Sequence, residues 1–298
     1  MTETPKKKVV RVESPKPAQR AGGGAEGSER SEPVWTPTPE AKAKATRFRI
    51  IAAVLWAVAI GLEAFAIFWV LKQVPVIMWL LIVLIVATGI LSVGGSLLWK
   101  QANRLDPASK NDTARFFVQN QLGAIIAIIA FLPLIILIFM NKNMDGKQKA
   151  LAGGIGIVVL LVATLFGISW DSPSQEQYAE ETNIIEQLTG EDNVFWVKGG
   201  SVFHVCEAVP DVNKESKDGQ IYQGTVAAAH EAGKDRLTKR WQSEATKYCG
   251  YTEEQVAAVE AKLAGDTPTD EQQSQDPGAQ DPAPTEDPAQ TEEPANAG

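Results

Sequence analysis

Four apolar runs dominate the middle of this chain. Each is long enough to cross the hydrocarbon core of a bilayer, which takes ~20 residues of helix. They cover residues 48–71 (FRIIAAVLWAVAIGLEAFAIFWVL), 74–99, 122–140 (LGAIIAIIAFLPLIILIFM) and 152–170 (AGGIGIVVLLVATLFGISW). Hydrocarbon offers a backbone amide no partner, so each run must pair its amides within itself and be helical. The fold class read from this is an α-helical membrane protein with four transmembrane helices. Four buried helices of a soluble domain are the alternative, and they rarely coincide at near-spanning length.

Outside the runs the chain changes character, so the whole-chain hydrophobic fraction of 45% averages unlike parts. Residues 1–47 hold ten Lys or Arg against six Glu and form a basic N-terminal region expected to be disordered. No cleavable signal peptide is expected, because AQRAGGGAEGSERSEP follows the basic start where an apolar stretch should stand. Residues 264–298 hold nine acidic groups and no basic one. The Pro-rich tail 266–298, with its recurring Asp-Pro pairs, is likewise expected to be disordered. Basic charge beside an apolar run points to a membrane surface, whereas its low density and the lack of interleaved aromatics argue against nucleic acid.

Orientation follows from the basic residues near the spans. Lys42, Lys44, Arg47 and Arg49 precede the first span, and Lys100, Arg104, Lys110 and Arg115 follow the second. Only Lys72, and then Lys142, Lys147 and Lys149, occupy the other two loops. The N-terminus and the 100–121 loop are therefore expected in the cytoplasm, and an even number of spans returns the C-terminal part there. The acidic SQEQYAEE after Trp170, with no basic residue before Lys198, reads the other way. Asp106–Pro107 reads as the start of a short surface helix in that loop, with Phe116 and Phe117 at the interface.

Within the spans, Trp99 and Trp170 suit the membrane interface. Ser92 with Ser96, and Ala152 with Gly156, are small pairs that let helices approach. Besides the bilayer, the partners to expect are a second copy of the chain or another membrane protein. Glu63, in IGLEAF, is the ionisable residue well inside a span. It either glues helices, against Asn120 or Gln121, or binds a cation or proton for transport. Pro133 should bend the third span.

Residues 171–265 read as a small α+β domain. WDSPSQEQYAEETNIIEQLTG is a helix with Ser172 as cap, Pro173 as first residue, Tyr178, Ile185 and Leu188 on one face, and Gly190 as its end. NVFWV and SVFHVCEAV flank KGG as a β-hairpin. A brief helix from Thr225 to Gly233, a second from Leu237 to Tyr248, and a third capped by Thr252 and Gln255 complete the domain.

The chain has 2 His and 2 Cys, all in this domain: His204, Cys206, His230 and Cys249. Residues two apart on a strand share a face, so His204 and Cys206 should project together. Three readings stay open. The residues are ordinary core members, Cys206 and Cys249 form a disulfide in an oxidising compartment, or the four hold zinc in a reducing one. Catalysis by Cys206 with His204 is disfavoured, because neighbours on one strand face run parallel and no orienting acid is legible. No nucleotide loop, carboxylate pair or nucleophile motif suggests an enzyme.

SLLWKQANRLDPASKNDTARFFVQNQLGAI, LPLIILIFMNKNMDGKQKALAGG and GISWDSPSQEQYAEET resemble an uncharacterised family of bacterial four-span membrane proteins, over roughly Phe48 to Tyr251. The resemblance implies no known activity. The C-terminal domain also resembles the small Cys/His modules of Ada-type proteins, with Lys198, Gly200, Phe203, His204, Gly224 and Thr225 in the matching places. It departs from them at Cys206, which stands close to His204, and at the closing C-x-x-C, reduced to Cys249. The resemblance implies a module descended from a metal binder, in which a disulfide could replace the zinc. The expected role is a membrane anchor presenting a binding or sensing module, and the alternative is a small transporter or channel using Glu63.

Overall fold

The computed structural model describes residues 8–12, 35–170, 172–214 and 218–266. Most of the basic N-terminal region and the acidic tail, both expected to be disordered, lie outside the described residues. Two stretches of the N-terminal region are ordered. Lys8–Arg11 is strand β1, and the first helix begins at Pro39 rather than Phe48.

Four long helices follow: α1 (Pro39–Phe68), α2 (Met78–Leu105), α3 (Thr113–Met140) and α4 (Gly146–Gly167). All four are long and apolar enough to cross a membrane. Three begin at side-chain caps that the hydropathy of the runs does not mark. Thr38 accepts the Ala41 N–H, Asp112 accepts the Arg115 N–H, and Asp145 forms a capping box with Gln148. Asp106 closes α2 instead of opening a surface helix, and Phe116 and Phe117 lie in the first turns of α3. Apolar composition marks only the lipid-buried part of a helix; the caps mark its true ends.

The bundle buries Leu81 and Ile85 of α2 against Phe131, Leu134 and Ile138 of α3. Its outer faces are apolar and exposed, as at Val54, Val58, Val83, Ile129, Val158 and Leu161, which suits a lipid environment. Small residues bring the helices close. A Cβ on Gly167 would lie 2.5 Å from the Ala124 nitrogen, and one on Gly95 2.5 Å from the Trp56 ring. Ser92 and Ser96 are buried, and Gly156 faces Ile135. These small pairs thus serve packing within the chain.

The C-terminal domain comprises α5 (Gln175–Thr189), β2 (Val194–Trp196), β3 (Val202–Phe203), α6 (Pro210–Lys214), β4 (Gln220–Gly224), α7 (Val226–Glu231), β5 (Arg236–Leu237), α8 (Trp241–Lys247) and α9 (Glu253–Asp266). Helix α5 is capped by Ser174, two residues later than Ser172, and ends at Gly190 in the left-handed region, φ 86°. Thr252 and Gln255 exchange the expected capping hydrogen bonds. Apolar side chains of α5, β2, α7, α8 and α9 form one core around Trp196 and Phe203.

The expected hairpin is largely replaced. Strand β4, not β3, lies beside β2, giving the order β1-β4-β2, while β3 pairs in parallel with β5. One bridge survives between the two predicted hairpin arms, Phe195 with His204, at 2.9 and 2.8 Å. Strand β1 joins in parallel, Val9 opposite Ile221, and so ties the N-terminal segment to the C-terminal domain.

Candidate functional site

The domain stands on one end of the bundle. Helices α1 and α2 continue together past the apolar zone, packing Ala45 against Ala102 and Leu105. On this platform Lys44 pairs with Glu231 of α7, and Arg104 with Asp235 at 2.8 Å. Gln101 donates to the Glu231 carbonyl at 2.8 Å, and the Tyr178 hydroxyl of α5 to the Arg104 carbonyl at 3.0 Å. The α2–α3 loop holds α5 as well. Gln175 donates to the Pro107 carbonyl, and Glu176 accepts from Ser109 and the Lys110 N–H. Beneath the junction, Arg49 donates to both the Asp106 carboxylate and the Asp106 carbonyl, at 2.6 and 2.8 Å.

A cavity of about 670 Å³ opens at this junction, within the range typical of small-molecule sites. Thr38, Glu40, Ala41 and Lys44 of α1 and its cap form one wall, with Arg104 and Leu105 of α2. The domain contributes Trp196, Lys198, Tyr222, Thr225, the outer face of α7 and Lys234; Val12 and Trp35 also line it. Aromatic contacts lead inward from it. Trp35 packs edge-on against Tyr178, and Tyr178 stacks on His230 at 3.7 Å. At Gly224 a Cβ would lie 3.1 Å from the Trp196 ring, a close contact at this end of β4.

The four candidate ligands are not brought together as a metal set. Cys206 and Cys249 form a disulfide, with Cα atoms 5.8 Å apart. Strand β3 stops at Phe203, so Cys206 lies in irregular chain beyond it and the shared-face expectation for His204 and Cys206 does not apply. His204 turns inward, its Nδ1 3.1 Å from each oxygen of Glu244. His230 has both ring nitrogens occupied: Nδ1 2.9 Å from the Lys234 carbonyl and Nε2 2.6 Å from Glu181. A carbonyl only accepts, so it is Nδ1–H that donates to Lys234. With both sulfurs bonded to each other and both imidazoles facing carboxylates, these residues do not fit zinc. Among the described residues no group of three or more His, Cys, Asp or Glu side chains could hold a metal ion.

Sequence reasoning missed the partners, Glu181 and Glu244, because each lies dozens of residues from its histidine and looks like ordinary surface acid. Glu181 also accepts from Gln177 and from the Leu237 N–H, both at 3.0 Å, so it stitches α5, α7 and β5 together. Lys234 is buried as well, its Nζ donating to the carbonyls of Val197, at 2.6 Å, and Gly200. The Lys-x-Gly loop singled out by resemblance therefore cradles an ammonium. Burial pushes the Asp192 carboxyl up to about 6, opposed by the N–H of Val226 that it accepts.

Glu63 is buried inside the bundle at 5% exposure, and its Oε1 has no hydrogen-bond partner. Its carboxyl group reaches the backbone amide of Leu134, beside Pro133, where the α3 ladder already lacks one N–H. Asn120 does not meet it. α1 and α3 both run away from the domain, so Asn120 sits at the domain end, where its amide donates to the Phe116 carbonyl.

No known protein family, characterised protein or solved structure matches the chain.

Proposed function

We propose that this chain is a multi-pass protein of a bacterial cytoplasmic membrane, whose four-helix bundle anchors and orients a small ligand-binding domain. The observation that carries the reading is the junction cavity, whose walls come from both parts. A ligand held there contacts the membrane helices and the domain at once, which is the geometry a membrane-tethered sensor or binding protein needs. The resemblance to Cys/His modules supports a binding origin for the domain, with the Cys206–Cys249 disulfide now in the stabilising role that zinc has in such modules.

In this reading the domain, the start of α1 and the 106–112 loop face the oxidising exterior. Two signals compete. Basic residues are twice as frequent at the domain end of the spans, which favours the cytoplasm. A structural disulfide is a chemical state that the reducing cytoplasm does not sustain. The charge count is a statistical bias and the disulfide is a redox constraint, so this reading rests on the disulfide. The test is thiol labelling of intact cells with a membrane-impermeant maleimide. Labelling of Cys206 and Cys249 only after reductant is expected. Labelling only after the cells are opened, without reductant, would place reduced thiols in the cytoplasm and reverse the assignment.

A second reading, a small transporter using Glu63, is favoured by that carboxyl's unpartnered oxygen near Pro133, where the α3 ladder lacks one N–H. Glu63→Gln in proteoliposomes separates the two. An anchor keeps its fold and any ligand binding, whereas a transporter loses proton or cation flux.

A further inference from the structure

We propose that the junction cavity takes an anionic amphiphile: a phosphate- or carboxylate-bearing head joined to an apolar or aromatic body. This rests on the binding role proposed above and names its ligand class. Four cations line the cavity, Lys44, Arg104, Lys198 and Lys234, against two carboxylates, Glu40 and Glu231. Glu231 is neutralised by Lys44 and Arg104 by Asp235, and the buried Lys234 ammonium donates to the Val197 and Gly200 carbonyls. Glu40 lies in the first turn of α1, where the helix dipole favours a negative charge. Lys198 is exposed on the opposite wall, and its ammonium meets no carboxylate among the described residues. The site therefore keeps an excess of positive charge on the domain side.

The remaining lining is apolar. Trp35, Leu105, Trp196, Ala228 and the ring of Tyr222 provide surface for a hydrocarbon or aromatic body. Height above the bilayer fits the same chemistry. The Trp99 indole, which donates to the Gln119 carbonyl, marks the interface. Arg104 and Leu105 follow five and six residues later on α2, roughly 8–9 Å further out at the rise of an α-helix. The headgroup layer is about 5–8 Å deep, so the cavity opens at its outer edge, within reach of a lipid headgroup or of an amphiphile arriving from solution.

The test uses the full chain in phosphatidylcholine nanodiscs, titrated calorimetrically with hexyl phosphate. Inorganic phosphate serves as the head-only control, and empty nanodiscs correct for partitioning. Saturable hexyl phosphate binding is expected, weakened about tenfold or more in Lys198→Glu and retained in Lys198→Arg. Ala227→Trp, which fills the cavity without altering charge, should abolish it while far-UV spectra stay unchanged. Doping the discs with phosphatidylglycerol distinguishes the sources: competition identifies a bilayer lipid, and its absence a soluble amphiphile. Inorganic phosphate binding as tightly as hexyl phosphate would overturn the apolar part of the proposal. Absence of binding, or equal binding in wild type, Lys198→Glu and Ala227→Trp, would overturn it altogether. Either failure leaves the topology result, read by thiol labelling, untouched.

Discussion

Single residues in the domain bury polar groups where burial is costly. His204 with Glu244, and His230 with Glu181, are buried hydrogen-bonded pairs, and leaving one such buried group without its partner generally costs about 1–3 kcal/mol. Their value here is cross-linking, since each joins elements far apart in sequence. Asp192 behaves differently. Its folded-state pKa is raised from 3.8 to about 6 by burial, so ionising it opposes folding. The penalty is absent below pH 3.8, grows as pH rises towards 6 and is complete above. Asp192→Asn keeps an acceptor for the Val226 N–H without the charge. It should stabilise the domain at neutral pH by about 2–3 kcal/mol and have little effect near pH 3.5, as read from denaturant melts at the two pH values. Equal stability of variant and wild type at pH 7 would show that the buried carboxylate costs nothing.

Between elements, small side chains set the spacing and caps set the lengths. Helices α3 and α4 touch where Gly167 meets Ala124. Gly167→Leu should therefore destabilise the bundle by about 1–3 kcal/mol or more, whereas Gly154→Leu, with open space at its Cβ, should be tolerated; thermal melts in detergent compare them. The four long helices were legible in the sequence because hydrophobic runs of spanning length have few other uses. Their ends were less legible, since α1 begins nine residues before its apolar run. The small domain was harder still. Helices with local caps at Thr225, Gly190 and Thr252 could be read, because a cap is a short-range signal. The pairings of β4 with β1 and of β3 with β5 could not, because β3 and β5 are two-residue strands with no usable periodicity and β1 meets β4 across about two hundred residues of chain.

At the scale of the whole molecule, the N-terminal strand, the 106–112 loop and the C-terminal domain gather at one end of the bundle. Glu176 is one clasp of this assembly. Burial works against its charge, but hydrogen bonds from Ser109 and the Lys110 N–H prevail and hold its carboxyl below the ordinary 4.5. Its contribution is thus present above pH 4.5 and is lost as pH falls through the lower folded value. Acidification should accelerate hydrogen exchange at Lys110 and the first turn of α5. Glu176→Gln should show the faster exchange already at pH 7, and identical protection in the two proteins at pH 7 would remove Glu176 from the clasp.

What the amino-acid order determined alone was the presence of four bilayer-length helices and of a polar, folded module after them, because burial of apolar length and local capping are written in consecutive residues. What the tertiary structure decided was every contact of long range: Cys206 with Cys249 rather than a metal set, each histidine with its distant glutamate, and the cavity between bundle and domain. Those depend on which surfaces meet once the chain has collapsed, and no stretch of neighbouring residues encodes that meeting.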